Sequence, residues 1–393
     1  MGSGFLVCAP LLYANTGNYA VAAMAGLLCL AYAVGSVIRF NIRYGEPILE
    51  TQIPPTDFKR QEHKRHIAHR DTAHRVKAGQ SAEILEKISH IALSGAYFIS
   101  VSYYLQLLSS FALQPFSFDK AWYGKILVTL ILAGLGMIGI LRGLKGIERI
   151  ERIVISINLS MIAALVAGLF CYNIVTLERG DFHIQTLPLP ADKSHVIRIL
   201  MGMLIVVQGF ETSRFLGSEH PPEVRVRTMR WAQLLSSGIY LLFIALMAIV
   251  MNKAGSMEQT NITAIVGLSK IIAPILPIFI MITAIGSQFS ASTADDAGCS
   301  GLLESIFKSR VPAGFDYLIV SGMAVAITWI TNVYQIISFA SRAFALYYAI
   351  QCVVAILVVK HSPSVTVPVR RMILYGSLAV ICAAITCFGI PAG

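Results

Sequence analysis

The sequence predicts an all-α, polytopic membrane protein, and two observations support this prediction. Hydrophobic residues make up 56% of the 393 positions and charged residues only 13%, whereas about a quarter of an ordinary soluble domain is charged. Apolar runs of about twenty residues also recur along the whole chain, and each is long enough to cross a hydrocarbon layer about 30 Å thick as a helix. This composition excludes soluble enzymes and disulfide-rich secreted domains.

The apolar runs predict one short span followed by ten full spans. The short span covers residues 5–14. The full spans cover residues 19–38, 91–113, 123–141, 153–174, 196–216, 231–251, 272–303, 317–330, 333–359 and 372–390. We therefore expect residues 1–393 to form a single transmembrane domain.

The Lys and Arg residues predict how these spans are oriented, because cytoplasmic segments carry an excess of them. If the segment after residue 38 is cytoplasmic and the sides alternate from there, 23 of the 31 Lys and Arg residues fall on the cytoplasmic side and seven outside. The predicted location is the plasma membrane, or the inner membrane of a bacterium, with the carboxyl terminus outside. The net charge of +10 is then a topology signal, and no nucleic-acid binding is expected.

Residues 51–89 form a long polar stretch, which predicts a cytoplasmic loop with a surface helix. Four histidines lie in it at spacings that suit a metal ion: His63, His66, His69 and His74. The Lys and Arg residues between them favour a solvated basic face beside anionic lipid headgroups. We therefore do not predict a metal site in this loop.

Two glycine-containing segments predict broken helices. A membrane-buried backbone leaves helical geometry only where protein or a water-filled cavity satisfies the freed polar groups. One segment, residues 2–4, precedes the short span, and the other, residues 208–213, lies in the middle of the sixth span. We expect residues 2–4 and 208–212 to be non-helical and to face each other near the bilayer midplane. Breaks in the first and sixth spans suit two inverted repeats of five helices.

The residues at both breaks resemble those of the amino acid/polyamine/organocation (APC) transporter superfamily. The string GSGF at residues 2–5, followed by an apolar half-helix and Pro10, is similar to the family's first helix, in which a GSG-type break separates two half-helices. The string GFE at residues 209–211, followed by Glu219 and Pro221, resembles the family's sixth helix and the loop after it. The resemblance covers spans one to ten.

This resemblance implies a five-plus-five inverted-repeat fold, with residues 1–175 in the first repeat, 196–359 in the second and 372–390 as an additional span. It also implies a secondary active transporter, a symporter or an exchanger, that carries an amino acid or a similar small organic solute by alternating access. The family has a cytoplasmic half-helix before the GSG break, whereas this chain begins at the break. We expect a start upstream of Met1, and the alternative is an inactive, truncated pseudo-transporter.

The substrate is expected to bind between the two breaks. Backbone amides near the first break would hold a substrate carboxylate, with the second break across from them. The substrate-binding candidates are Ser3, Gly4, Gln208, Gly209, Phe210, Tyr97 and Tyr104. Tyr97 and Tyr104 share one face of the third span, and packing against neighbouring helices is the alternative role for both.

Two charged residues within spans are predicted to take part in coupling or gating. Glu211 follows Gly209 in mid-membrane, where loss of water favours the protonated carboxyl and permits proton exchange. The glutamate of the family's GFE-type motif takes part in gating and, in some members, in proton coupling. The alternative is a permanent ion pair or hydrogen bond that holds the broken helix. Arg342 in the tenth span needs a partner, which Glu211 or a substrate carboxylate would supply.

Hydroxyl groups near the cytoplasmic end of the eighth span are candidate ligands of Na⁺, a hard ion that prefers oxygen. The string STAD at residues 292–295 is similar to that of sodium symporters with this fold, which assigns Ser292 and Thr293 as the ligands. The alternative is that both hydroxyls bond backbone carbonyls of their own helix. The run from Ser287 to Asp296 is expected to face protein or water, because a charged side chain that faces lipid is costly. The alternative for Asp295 and Asp296 is that they mark the point where the helix reaches the interface. No cofactor is expected, and the coupling ion is either Na⁺ or H⁺.

The sequence contains no HExxH, GxSxG or P-loop pattern, so the chain is not expected to be an enzyme. Its expected partners are the lipid bilayer and a small-molecule substrate, an amino acid or an amine. A membrane sensor that keeps the fold and binds a ligand without transporting it is an alternative function, because a fold does not determine a function.

Overall fold

The computed structural model describes residues 4–47, 72–116, 120–180, 192–215, 220–254, 264–270, 273–307, 314–361 and 368–391. Within these residues the chain is helical and contains no β-strand. The all-α class predicted from the apolar runs is therefore confirmed.

The described residues form eleven α-helices, numbered here in chain order. They are α1 (Gly4–Thr16), α2 (Ala20–Phe40), α3 (Thr72–Ala112), α4 (Lys120–Glu178), α5 (Lys193–Gly202), α6 (Pro222–Ala254), α7 (Ala264–Ser269), α8 (Leu276–Phe307), α9 (Phe315–Ile330), α10 (Val333–His361) and α11 (Val369–Phe388). A π-helical turn, Asn41–Gly45, extends α2. Three segments are 3₁₀ helices: Gly17–Tyr19, Leu204–Val207 and Phe210–Phe215.

Eight stretches of the described helices are long and apolar enough to cross a membrane. They are Leu6–Gly45, Ile84–Ala112, Lys120–Leu141, Ile153–Glu178, Pro222–Ala248, Leu276–Glu304, Gln335–Lys360 and Val369–Phe388. The shorter apolar helix Phe315–Ile330 corresponds to the ninth predicted span. The sixth predicted span, residues 196–216, is divided, and the short helix α7 was not predicted.

Gly17 separates the short first span from the second. Its φ of 53° lies in the left-handed region, which glycine enters without a steric penalty. The chain leaves α1 there and passes through a single 3₁₀ turn into α2. The half-length first helix that was predicted from the apolar pattern is therefore present.

Two predicted connecting segments are helical. α3 begins at Thr72, so the later part of the predicted surface helix in residues 51–89 is the start of the third span. Ser89 is buried in the bundle, whereas residues 51–71 lie outside the described residues. α4 runs through both the fourth and the fifth predicted spans, and residues 142–152, which were expected to form a loop, are helical as well.

Charged residues from distant segments meet at one end of the bundle. Four of them form ion pairs there: Glu46, Glu86, Arg214 and Arg225. The Lys and Arg pattern predicts that all four segments lie on the same side of the membrane, and the orientation of the bundle stays a prediction. At the opposite end, Arg198 Nε on α5 donates a hydrogen bond to Phe388 O on α11 (3.2 Å). We call the first end the Glu86 end and the second the Arg198 end.

Candidate functional site

The first part of the broken sixth span is the short helix α5. The side chain of Asp192 caps its start by accepting hydrogen bonds from Ser194 N (3.0 Å) and His195 N (3.1 Å). The helix ends at Gly202, where a Cβ atom would lie 1.9 Å from Ile390 O after α11. Only glycine therefore allows the end of α5 to pack this closely against the chain beyond α11.

Neighbouring helices satisfy the backbone groups that the end of α5 leaves free. The hydroxyl of Ser341 on α10 donates to Gly202 O (2.7 Å) and accepts from Ile205 N (2.9 Å). The hydroxyl of Tyr240 on α6 donates to Val206 O (2.6 Å). A broken helix is tolerated at membrane depth under this condition, because unpaired backbone groups facing lipid would cost several kcal/mol each.

The break is centred on Gln208 and Gly209. Gln208 is extended, with ψ of −177°, and Gly209 has φ of 109°, a conformation that favours glycine. The chain then continues as the 3₁₀ segment Phe210–Phe215. The predicted non-helical segment 208–212 is thus correct for its first two residues and wrong for the last three, which form a tighter helix.

A cavity of about 280 Å³ lies beside this break, between α2, α3, α4, α6 and α8. The backbone of Gly209 and the ring of Phe210 contribute to its wall. Its polar side chains include Tyr32, Tyr104, Gln208, Gln233, Tyr240 and Asp295. Among the lining residues that the structure describes, Asp295 is the one with a carboxylate, and none is Lys, Arg or His.

Asp295 is buried against the break, which agrees with the expectation that it faces protein or water and contradicts the alternative that it marks the interface. Its side chain accepts hydrogen bonds from Ser100 Oγ on α3 and from Gln208 Nε2 (3.5 Å). The same Gln208 nitrogen donates to Tyr104 OH (2.7 Å). These bonds join α8, α3 and the broken span around one carboxylate, and both donors to that carboxylate are neutral.

Glu211 is fully buried but does not line the cavity. Its Oε2 atom accepts hydrogen bonds from Gly209 N (3.1 Å) and from Tyr348 OH on α10 (2.7 Å). The ring of Phe210 stacks on Tyr348, with centroids 5.3 Å apart and planes at 16°. Glu211 therefore folds back onto the break and connects it to α10.

The carboxyls of Glu211 and Asp295 have no cationic partner among the described residues. No Lys, Arg or His side chain in the described ranges lies within ion-pair distance of either, and the two carboxyls repel each other when both are ionised. An ionised carboxylate buried without compensation costs several kcal/mol. As far as the described residues go, a proton or a bound cation on at least one member would therefore stabilise the pair.

A group of charged and polar side chains follows the break at the Glu86 end. Arg214 Nη2 is 2.7 Å from Glu86 Oε1, and the side chain of Gln351 bonds both residues. Arg225 forms a two-point pair with Glu46 (3.1 and 2.6 Å) and donates to Arg214 O (2.9 Å). We call these five residues the Arg214 cluster. It ties the 3₁₀ segment to α3, α6, α10 and the segment after α2.

Arg342 does not pair with Glu211, which is a correction to one of the two partners expected for it. Its Nε atom donates to Thr386 O on α11 (2.6 Å). A backbone carbonyl is a sufficient partner for a half-buried guanidinium, and a sequence does not reveal such a partner. No ion pair joins Arg342 to an acid within the described ranges.

Ser292 and Thr293 are buried on α8 and bond their own helix. Ser292 Oγ donates to Phe289 O (2.8 Å), and the single proton of Thr293 Oγ1 is shared between Phe289 O (3.1 Å) and Ser290 O (3.0 Å). These hydroxyls retain lone pairs, and the Na⁺ assignment stays a prediction. No group of three or more His, Cys, Asp or Glu that suits a metal ion occurs in the described part of the chain.

The remaining substrate candidates differ in their relation to the cavity. Gly4 is the first residue of α1, so the expectation that it is non-helical is wrong. Gly2 and Ser3, the rest of that predicted break, lie outside the described residues. Tyr104 lines the cavity, whereas Tyr97 does not. Tyr97 packs edge-on against Phe344 at 5.8 Å. The structure thus brings together Tyr104, Gln208, Gly209 and Phe210 from the predicted set.

The sequence analysis did not identify several site residues whose role depends on a partner far away in the sequence. Ser100 and Gln351 are polar residues within apolar spans, and that placement was the available signal for both. Glu86 lies in the segment that was assigned to a polar loop. Arg214 was counted only as a topology residue, although its buried position follows from its place directly after a break.

A sequence-family model described as "APC superfamily transporter" matches residues 1–65 and 62–389. The chain is also similar to an uncharacterized protein of Aquifex aeolicus (strain VF5), with 36% identity over 360 residues that cover 91% of this chain and 81% of that protein.

The chain belongs to the APC superfamily of transporters.

Membership in the APC superfamily explains the broken span and the cavity together. An APC superfamily transporter is an integral membrane protein with a small-molecule substrate, and a discontinuous helix beside a cavity is where transporters of this type bind a solute. The resemblance to the APC superfamily that was identified from the GSGF and GFE strings is confirmed.

Proposed function

We propose that the protein is a secondary active transporter, a symporter or an exchanger, that carries an amino acid or a similar small organic solute by alternating access. The observation that supports this function best is the cavity at the broken sixth span, with the buried carboxylate of Asp295 in its wall. Such a site has room for a small solute and uses the break to present backbone and side-chain polar groups to it.

Coupling is assigned to the buried carboxyls near the break, with H⁺ as the first candidate ion. Glu211 contacts the break through Gly209 and α10 through Tyr348, so a change in its protonation alters both contacts. A proton on Glu211 also removes its repulsion with Asp295. Na⁺ bound at Ser292 and Thr293 is the second candidate, supported by the burial of both hydroxyls on the helix that carries Asp295.

The Arg214 cluster is proposed to be the gate at the Glu86 end. The Lys and Arg pattern supports the proposal that this end is the cytoplasmic one in a plasma or bacterial inner membrane. Each of its ion pairs joins the 3₁₀ segment or α6 to another element. A path from the cavity to this end requires at least some of these contacts to separate. Buried ion pairs suit this role, because they require one relative position of the two elements that they join but do not necessarily stabilise the protein.

Uptake by purified protein in proteoliposomes tests the proposed function. A mixture of radiolabelled amino acids and amines is offered with an inward pH gradient, with an inward Na⁺ gradient and with neither. We expect accumulation of at least one solute above its equilibrium level under one of the gradients. Ala294→Trp, which fills the cavity, should abolish uptake, whereas Ala383→Trp on the exposed face of α11 should not.

A protein that binds a solute but never accumulates or exchanges it would contradict the transport function and favour the sensor alternative. Counterflow with unlabelled solute inside the vesicles separates these outcomes, because an exchanger is active in counterflow without any ion gradient.

A further inference from the structure

We infer that the substrate binds in the cavity as a cation, with an ammonium group paired to the carboxylate of Asp295. This inference rests on the proposed transport function and adds to it the charge class of the solute. It favours an amine without a carboxylate over a zwitterionic amino acid.

The charge of the cavity wall is the first argument. Asp295 contributes a carboxylate, and no basic side chain lines the cavity among the described residues. The guanidinium of Arg39 bonds the side chain of Gln233 and lies 4.8 Å from the ring of Tyr32. Both of those residues line the cavity, whereas Arg39 does not. Among the described residues, the cavity wall therefore presents a negative charge to a ligand and no positive charge.

The second argument is how Asp295 is held. Ser100 and Gln208 donate hydrogen bonds to its side chain, which fix its position without neutralising it. A buried carboxylate held by neutral donors gains most from a cation, because the low local dielectric strengthens the pair. Among the described residues no side chain supplies that cation. A proton or a ligand would therefore neutralise the carboxylate, and the aromatic rings around the cavity favour a ligand.

The third argument is that several hydroxyl donors of the cavity wall are already used. A hydroxyl has a single proton to donate, and several in this wall are already used. Ser236 and Ser237 donate to Gln233 O (3.1 and 2.7 Å), and Thr212 donates to Gly209 O (2.8 Å). A zwitterion would lose the hydration of its carboxylate here, and that carboxylate would depend on the remaining hydroxyls, such as those of Tyr32 and Tyr104.

The size of the cavity distinguishes an organic cation from an inorganic one. About 280 Å³ is far more than the roughly 10–15 Å³ that one water molecule needs on the same kind of measure. The rings of Tyr32, Tyr104, Phe210 and Tyr240 also border this space. Aromatic faces attract ammonium groups, so the wall suits an amine with an apolar body.

The experiment compares amino acids with the amines obtained by removing their carboxylate. Purified protein in detergent is heated with lysine or cadaverine, and with leucine or isoamylamine, and the unfolding midpoint is recorded at each concentration. A bound ligand raises the midpoint as its concentration passes its dissociation constant. We expect at least one amine to raise the midpoint, with its partner amino acid having a smaller effect or none.

Substitutions at Asp295 test its role. Asp295→Asn keeps the shape and still accepts a hydrogen bond from Ser100, so we expect a folded protein with amine binding weakened about tenfold or more. Asp295→Glu keeps the charge and should retain part of the binding. Glu178→Gln, which removes an exposed carboxylate at the end of α4, should bind the amine like the parent protein.

The inference is overturned if no amine of the panel binds, if an amino acid binds better than its amine, or if Asp295→Asn binds the amine as tightly as the parent.

Uptake in proteoliposomes separates this failure from failure of the proposed function. Transport of an amino acid that resists amine competition leaves the transporter intact and removes the cationic substrate. Amine binding without any uptake leaves the Asp295 pairing intact and removes transport. Binding that survives in Asp295→Asn while pH dependence is lost makes Asp295 a proton site instead.

Discussion

The guanidinium of Arg214 lies 2.7 Å from the carboxylate of Glu86, and their side chains are only 3% and 12% exposed. Arg214 follows the break in the sixth span, whereas Glu86 belongs to α3. A salt bridge between two such buried groups commits both elements to one arrangement, because either charge left alone in this environment is strongly unfavourable.

Removal of one partner of this pair should therefore destabilise the protein. We expect Arg214→Gln to lower the free energy of unfolding by about 3–5 kcal/mol, since Glu86 is left buried without its main counter-charge. The double variant with Glu86→Gln should recover part of this loss. The measurement is the thermal midpoint in detergent, with the exposed Arg371→Gln as control. An Arg214→Gln midpoint equal to that of the parent would show that Glu86 is compensated elsewhere.

Gly209 is expected to be needed for its backbone conformation and not for space. A Cβ atom at Gly209 would meet nothing within 4 Å, but its φ of 109° is strained for any other residue. Gly209→Ala should cost about 1–3 kcal/mol. Gly238→Ala is the matched control, because Gly238 is equally uncrowded and lies within α6, where alanine should be neutral or stabilising. Equal thermal midpoints for the two variants would exclude strain as the reason for glycine at 209.

Glu211 is expected to couple transport to the proton gradient. Glu211→Gln keeps the shape and the hydrogen bond to Tyr348 but cannot exchange a proton, so solute binding should survive while accumulation driven by a pH gradient is lost. Glu211→Asp should keep part of the activity. Uptake and binding are measured on the same preparations. If Glu211→Gln concentrates the solute as well as the parent does, the carboxyl is a structural group that only holds Gly209 and Tyr348 together.

Sodium coupling through α8 has a separate test. Replacement of both Ser292 and Thr293 by alanine should abolish any stimulation of uptake by Na⁺ relative to choline. The fold should persist, because the lost hydroxyl bonds are to carbonyls of the same helix. Uptake by the parent protein that is identical in Na⁺ and choline would remove this assignment before any variant is made.

The long elements of the fold were predictable because each depends on local composition. The apolar runs identified the helices to within a few residues at most ends, and Gly209 identified the break. Residues 142–152 were expected to form a loop because they are polar and basic, but polarity does not by itself end a helix. The 3₁₀ course of Phe210–Phe215 depends on its contacts with α6 and α10, which no local pattern records.

The site was only partly predictable, because its chemistry depends on pairs of residues far apart in sequence. Gln208 and Tyr104 were each chosen for their own span, whereas their hydrogen bond needs the packed bundle. The role of Asp295 stayed open, because an acidic residue late in a span is as typical of an interface as of a cavity. Arg342 was expected to need an acid, yet a carbonyl of α11 accepts its hydrogen bond.

The last helix, α11, is hydrogen-bonded to the broken span, so the position of its end depends on that of α5. Arg198 bonds the carbonyl of Phe388, and Ile390 N donates to Arg198 O (3.1 Å). Any shift of α5 during a transport cycle must either carry the end of α11 with it or break these bonds. Cys387 lies beside them as an exposed, free thiol. A fluorophore or spin label attached to Cys387, which does not line the cavity, would therefore report movements of α5 during transport.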